Sequence, residues 1–237
     1  MIKRILKLIL SDKTKRSVKE QLGVPGLHHS LQLLKKKGYV PRFVIDGGAY
    51  EGQWTLDLLE VFPDAAVLML EAQSSKATRL QQIVEQCPKV IFHQSLLSAE
   101  DGKKLIFMEN ETASHVESVA FAGKAGISSE TIDAILSRRG LPFPDFIKLD
   151  VQGYELEVLR GAAASLANAE FCLLEVSLMN LCNEPLLTEV IAFMDERGFQ
   201  AYDICQFMRR PYDLALYQID MLFISKISRF VSDKRWQ

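Results

Sequence analysis

Four carboxylates stand at or near the ends of four apolar runs in this chain. Asp46 closes Phe43-Val44-Ile45-Asp46, Glu71 closes Ala66–Glu71, Asp150 follows Phe146-Ile147-Lys148-Leu149, and Glu175 lies near the end of Phe171–Val176. Short apolar runs separated by helix-length segments read as parallel strands buried on both faces. In an open sheet of such strands a ligand lies beyond their carboxyl ends. All four acids then crowd one rim. Their recurrence at equivalent positions points to a ligand site rather than to unrelated surface charges.

The first acid opens a turn, Asp46-Gly47-Gly48-Ala49-Tyr50-Glu51-Gly52, and a helix-compatible segment from Gln53 to Phe62 follows. Strand, glycine turn and helix begin a βαβ unit whose helix N-terminus faces a ligand. Glycine lets the backbone come close to a bound molecule. The spacing is not G-x-G-x-x-G, and a pyrophosphate loop has no use for a carboxylate in the turn. Glu71 lies 23 residues after Gly48, where an acid accepts hydrogen bonds from ribose hydroxyls. A nucleoside without phosphate and with a positive charge fits both acids, and S-adenosylmethionine is such a molecule. A nucleotide-dependent oxidoreductase is disfavoured by the missing glycine pattern. A catalytically silent binding or scaffold protein of the same fold is the alternative of a different class.

Each candidate then takes a role. Gly47, Gly48 and Gly52 let the loop approach the methionine part of the cofactor, Tyr50 and Ala72 add contacts, and Asp46 positions it through water or the ammonium. Glu71 holds the ribose. Gln94 or Ser95 sits near the adenine edge. Asp150 faces the ammonium or the reacting centre. An alcohol acceptor of high pKa needs a base or a metal. His115, in the polar stretch Glu109–His115, is the candidate base; His93 reads as structural, and His28 and His29 are weaker candidates. Asp150 with Glu175 could hold a magnesium-type ion through oxygen ligands. Tyr154 and Trp54 read equally as acceptor-pocket or core residues.

The elements that must position these groups follow in order. Strands are expected at 42–46, 66–71, 90–95, 145–151 and 171–176, and helices at 52–62, 74–86, 131–139, 154–166 and 186–197. Ser74 or Ser75 reads as an N-cap. Residues 200–204 and 217–224 have no helix between them and form an antiparallel pair. Between 96 and 130 the alternation breaks, with a hairpin signal at Asp101-Gly102 and one short strand at Leu105–Met108. A helix at 28–38 precedes the first strand as part of a lid near the ligand end. The division is an N-terminal helical arm at 1–40, one domain at 41–228 and a tail at 229–237.

The chain's 237 residues carry a net charge of −2, which argues against nucleic acid as a partner. Residues 1–37 hold ten Lys or Arg and two Asp or Glu, so a basic arm precedes an acidic body. Ile2, Ile5, Leu6 and Ile9 share one helical face of that arm, which suits docking on its own domain, an anionic membrane surface or a protein partner. It is too short and too interrupted for a signal peptide. No apolar run approaches the ~20 residues of a membrane span. Cys87, Cys172, Cys182 and Cys205 form no C-x-x-C pair, so reduced thiols and a cytoplasmic location are expected.

The turn at Asp46–Gly52 resembles motif I of class I methyltransferases. The stretch Phe146-Ile147-Lys148-Leu149-Asp150-Val151-Gln152-Gly153-Tyr154-Glu155-Leu156-Glu157-Val158-Leu159-Arg160-Gly161-Ala162 resembles the signature of the FkbM family of S-adenosylmethionine-dependent methyltransferases. The likeness extends over roughly residues 40–225. It implies a Rossmann-like α/β fold, a mostly parallel seven-stranded sheet of order 3-2-1-4-5-7-6 with strand 7 antiparallel, flanked by helices. It also implies O-methylation of a hydroxyl on a sugar, glycan or secondary metabolite. Two positions depart from the family pattern: Gln152 stands where a Glu is usual, and Ala72 where a Pro is frequent. The first weakens any metal or base role at 152.

Overall fold

A computed structural model of the protein describes residues 26–111, 114–119, 126–181, 184–232 and 235. The amphipathic face at Ile2–Ile9 lies outside them. Seven strands build the main sheet: β1 (Phe43–Gly47), β2 (Ala66–Glu71), β3 (Val90–Gln94), β8 (Phe146–Leu149), β9 (Phe171–Ser177), β10 (Phe199–Arg209) and β11 (Leu216–Ser225). They lie in the order β10-β11-β9-β8-β1-β2-β3. Numbered among themselves along the chain, this is 3-2-1-4-5-7-6. β11 is antiparallel to both neighbours and the other pairings are parallel.

Side chains alternate across a strand, and the core divides accordingly. Ile45, Leu68, Leu70, Ile147 and Leu149 enter one buried cluster; Val44, Val67, Met69 and Phe146 enter the other. Helix α1 (Leu27–Lys36) packs Leu31 and Leu34 into the second cluster, against α2 (Gln53–Val61) and β10. It covers a face of the sheet rather than the ligand rim, so this helix is not the part of a lid expected of it; the other helix of that lid lies outside the described residues. Phe230 also joins that face, 5.9 Å from Phe171 between ring centroids. Residues 27–40 and 228–232 therefore pack as parts of the domain.

Helix α3 (Ala77–Gln86) follows a short 3-10 turn at Ser74–Lys76 and has no side-chain cap, so Ser74 and Ser75 are not its N-cap. Helix α4 (Ile132–Arg139) is capped by Thr131, whose Oγ1 accepts from the Ala134 N–H. The single helix expected at 154–166 is two, α5 (Glu155–Arg160) and α6 (Ala163–Asn168). A Cβ on Gly161 would lie 2.2 Å from the Ser98 carbonyl oxygen, so the chain passes that backbone only as glycine. Helix α7 (Leu187–Glu196) precedes the closing hairpin.

The segment between β3 and α4 departs most from expectation. It is a second sheet, β4 (Leu96–Leu97), β5 (Lys104–Met108), β6 (His115–Val119) and β7 (Ile127–Glu130), ordered β4-β7-β5-β6. Only β5 is legible as an apolar strand. β7, Ile-Ser-Ser-Glu, is too polar to signal itself, and its pairing with β4 and β5 is long-range.

Candidate functional site

A cavity open to solvent lies beyond the carboxyl ends of β1, β2 and β8; its empty space, counting the open mouth, is about 720 Å³. Its floor includes Gly48, Leu70 and Glu71, and its walls include Leu97, Asp150 and Val151. The second sheet supplies the opposite side through Phe107, Ser114 and Val116.

The glycine turn is built against β8. Gly48 has φ +71°, and a Cβ there would stand 1.8 Å from the Asp150 carbonyl oxygen. Gly48 and Ala49 donate their N–H groups to the Leu70 carbonyl at 2.9 and 3.1 Å. Tyr50 follows at φ 48°, and its N–H donates to Glu71 Oε2 at 2.8 Å. Glu71 Oε1 accepts the Gln73 N–H, also at 2.8 Å. Glu71 is thus a buried carboxylate on the cavity wall that joins two loops. Burial pushes its pKa up, against the pull of the Gln73 and Tyr50 N–H groups and of Lys148.

Asp46 is not at the cavity. It is fully buried beneath the turn, where Lys148 Nζ donates to Oδ1 at 2.9 Å and Thr55 Oγ1 donates to Oδ2 at 2.7 Å. Its cation belongs to the protein, which corrects its assignment to the ligand's ammonium. Lys148 Nζ also reaches the Gly47 and Gly48 carbonyls at 3.3 and 2.8 Å. Burial works against the Lys148 charge, but Asp46, Asp150 and Glu71 outweigh it and hold its pKa above the ordinary value. Asp46 and Lys148 face each other in register, so both polar interruptions sit on one face of adjacent strands. Each is a polar interruption in an otherwise apolar run, and only the register joins them. Gly47 and Gly52 are likewise structural. A Cβ on Gly47 would meet Leu149 at 2.6 Å, and one on Gly52 would meet Ile83 at 2.3 Å.

Asp150 lines the cavity, and Gln152, at φ 55°, sits beside it. The Gln152 Nε2 donates to Asp150 Oδ1 at 2.8 Å and to Glu175 Oε2 at 2.9 Å. Glu175 lies behind. Desolvation first, then Asp150, Glu155 and Asp220, hold its carboxyl far above the usual range. Burial also lifts Glu155 to about 7 and Asp220 to about 6, with Asp150 adding to both. Glu155 Oε1 accepts the Val151 and Gly153 N–H groups at 2.9 and 3.3 Å, fixing the loop on both sides of Gln152. Among the described residues no group of three or more His, Cys, Asp or Glu is arranged to hold a metal ion. Asp150 and Glu175 face an amide instead, which corrects their candidacy as magnesium ligands.

An acid whose pKa is raised by folding costs stability once the unfolded chain ionises. Glu175's contribution is therefore complete below the ordinary carboxylate range and is lost as pH rises through its raised native value. Glu175→Gln is expected to raise the melting temperature at pH 8 and leave it nearly unchanged at pH 4. Thermal denaturation at both values checks this; equal shifts would refute it.

The remaining candidates divide. Ala72, Ser95 and Tyr154 line the cavity. Gln94 is exposed and outside it. His115 is exposed at the start of β6, opposite Met108, while its neighbours Ser114 and Val116 line the cavity. Strand alternation turns it away, so it is not the base expected of it. His115→Ala is accordingly expected to leave affinity for S-adenosylhomocysteine and turnover within about twofold, as for surface changes generally; calorimetry and a methyl-transfer assay check both. His93 Nε2 lies 2.8 Å from Glu130, a structural contact as expected. His28 and His29 lie on α1, away from the cavity. Trp54 packs in the core, 5.8 Å from Phe146.

Sequence reading singled out Gln152 only as a departure from the family pattern, and missed Gln73 and a clasp at the cavity mouth. Glu111 Oε2 accepts from Tyr50 Oη at 2.7 Å and from Lys76 Nζ at 2.6 Å, while Gln73 Nε2 donates to the Glu111 carbonyl at 3.0 Å. The Glu111 hydrogen bond holds the Lys76 ammonium above its ordinary pKa. These partners lie more than 20 residues apart in sequence, with no local pattern joining them.

Sheet order, glycine turn and rim cavity together define a Rossmann-like fold of the class I methyltransferase type. The sequence profile of the methyltransferase FkbM domain matches residues 46–201, and the chain belongs to that family of methyltransferases. A solved FkbM methyltransferase from Methylobacillus flagellatus KT is 17% identical, with a TM-score of 0.48 over 77% of this chain and 43% of that one. The chain thus spans less than half the length of that protein. Magnesium protoporphyrin IX methyltransferase from Synechocystis PCC 6803, solved with bound S-adenosylhomocysteine, is 12% identical, with a TM-score of 0.51 over 91% and 88% of the two chains. No curated protein matches the chain significantly. No helix of the described residues is long and apolar enough to cross a membrane. Cys87, Cys172 and Cys205 are free thiols.

Proposed function

We propose that the protein is an S-adenosylmethionine-dependent O-methyltransferase acting on a hydroxyl of a sugar, glycan or secondary metabolite. The observation that carries the reading is Glu71. It is a buried carboxylate at the end of β2, lining the same cavity as Gly48 and Tyr50 and accepting the Tyr50 N–H. The cradle fits the cofactor in kind. Glu71 would hold ribose hydroxyls, Ser95 and Ala72 the adenine side, and Gly48 and Tyr50 the amino-acid side. Apolar Leu70, Leu96, Leu97 and Val151 give the cavity surfaces against which a base and an aliphatic chain can pack. The structural neighbour solved with S-adenosylhomocysteine supports the same cofactor.

When bound, the cofactor supplies an electrophilic methyl group on a sulfonium. The chain's own part is to orient the acceptor, since positioning supplies much of the rate in such transfers. It must also take the acceptor's proton. Asp150 is the carboxylate at the cavity for that work, with side-chain exposure of 42%. Tyr154 and the β5–β6 side of the cavity would bound the acceptor. The basic segment 1–37 would make peripheral contact with an anionic membrane surface or a protein partner, from a cytoplasmic location.

Titration calorimetry with S-adenosylhomocysteine and with NAD, followed by transfer of labelled methyl to a panel of sugars, glycans and polyketide alcohols, tests the reading. Saturable binding of S-adenosylhomocysteine alone, with transfer to oxygen, is expected. No binding by folded protein would overturn the cofactor. Binding without transfer to any acceptor would favour the silent binding protein.

A further inference from the structure

Gln152 has a geometry that cofactor binding alone does not use. A residue with a Cβ at φ 55° pays for its left-handed conformation, and its contacts must hold it there. Those contacts are unusual in kind. One nitrogen, Nε2, spans two carboxylates, at 2.8 Å to Asp150 and 2.9 Å to Glu175. Two carboxyl groups this close to a common point repel when both are charged, and burial together with Asp150 keeps the Glu175 carboxyl protonated. Here amide hydrogens lie between them, and an amide is neutral and does not exchange with solvent ions. The loop is also fixed on either side, because Glu155 accepts both the Val151 and the Gly153 N–H groups. Gln152 and Asp150 line the cavity, and Glu175 lies behind them.

We propose that Gln152 is a positioning residue: its amide stands where a cation would otherwise bridge Asp150 and Glu175, and it holds the Asp150 carboxylate toward the acceptor. This rests on the reading of the cavity as a methyl-transfer site. It has a consequence for ion binding that can be read without any transfer assay. Gln152→Glu keeps the shape and replaces both hydrogens' nitrogen by oxygen at the same separations. Oxygens ~3 Å apart form the edge of an octahedron with bonds of ~2.1 Å. The variant should therefore convert the cluster into a site for a hard divalent cation.

The test is Mn²⁺ titration, by calorimetry and electron paramagnetic resonance, of the wild type, Gln152→Glu, and Gln152→Glu combined with Asp150→Asn. The wild type is expected to show no specific binding, Gln152→Glu to gain it, and the double variant to lose it. Gln152→Gly, which tolerates the positive φ, is expected to bind S-adenosylhomocysteine within about twofold of wild type while kcat falls roughly tenfold to a hundredfold, as misplaced groups do. Mn²⁺ binding by the wild type that Asp150→Asn abolishes would overturn the proposal. So would a Gln152→Glu variant that remains indifferent to Mn²⁺, or full turnover in Gln152→Gly. Failure of the wild type to bind S-adenosylhomocysteine is a separate result and counts against the cofactor reading, because the Mn²⁺ titrations do not depend on it.

Discussion

Glu71→Ala is expected to weaken S-adenosylhomocysteine binding by at least about tenfold, since a hydrogen bond to a charged group contributes about 1.5–3 kcal/mol and a tenfold change in affinity is about 1.4 kcal/mol. The carboxylate is built for this on the protein side. Each oxygen already accepts one backbone N–H, from Tyr50 and from Gln73, at 2.8 Å. Removing it loosens the two loops that flank the cavity as well as the ribose contact. Glu71→Gln separates these effects: it keeps the volume and one acceptor but turns a donor toward the other N–H. Calorimetry on both variants reads the outcome, and unchanged affinity in both would refute the ribose role. Burial already raises the Glu71 pKa, so affinity should also fall as pH drops toward that raised value and the carboxyl gains a proton.

Lys148→Met is expected to cost about 3–5 kcal/mol of stability, the range found when one partner of a buried ion pair is removed. Asp46 is wholly buried, and Lys148 lies 2.9 Å from it. With the ammonium gone, Thr55 is left as its hydrogen-bond partner, and the carbonyls of Gly47 and Gly48 lose a donor. Urea denaturation measures the loss. Replacing both partners, as in Asp46→Leu with Lys148→Met, should recover most of it, because no uncompensated charge then remains. A double variant as unstable as the single one would show that the pair's cost lies elsewhere.

The parallel sheet was legible because its strands are buried on both faces and so read as unbroken apolar runs at regular spacing. β2 was bounded to the residue, and the acids at strand ends located the rim. What the rim acids do was less legible. Asp46 reads as a ligand group until its register partner Lys148 is known, and that pairing joins positions about a hundred residues apart. Gly47 and Gly52 show the same limit: a glycine that admits Leu149 or Ile83 looks in sequence like one that admits a ligand. His115 failed for want of a phase, since a polar loop carries no alternation to say which way a side chain points. The second sheet was legible only at β5, because β4 is two residues long and β7 is polar.

That second sheet is one uninterrupted excursion between β3 and α4. It lines the cavity through Leu96, Leu97, Phe107 and Val116, while β2 carries Glu71 and the turn after β1 carries Gly48. Much of the cavity lining is thus encoded apart from the strands of the main sheet, while Leu96, Leu97 and Glu111 tie the excursion to the Glu71 side. Divergence at Phe107, Ser114 and Val116 can redraw one part of the cavity lining while leaving the residues of β2 and β8 unchanged. Exchanging the β5–β6 hairpin with that of a relative is expected to change which acceptors fit, and methyl-transfer assays on the chimaera read the outcome.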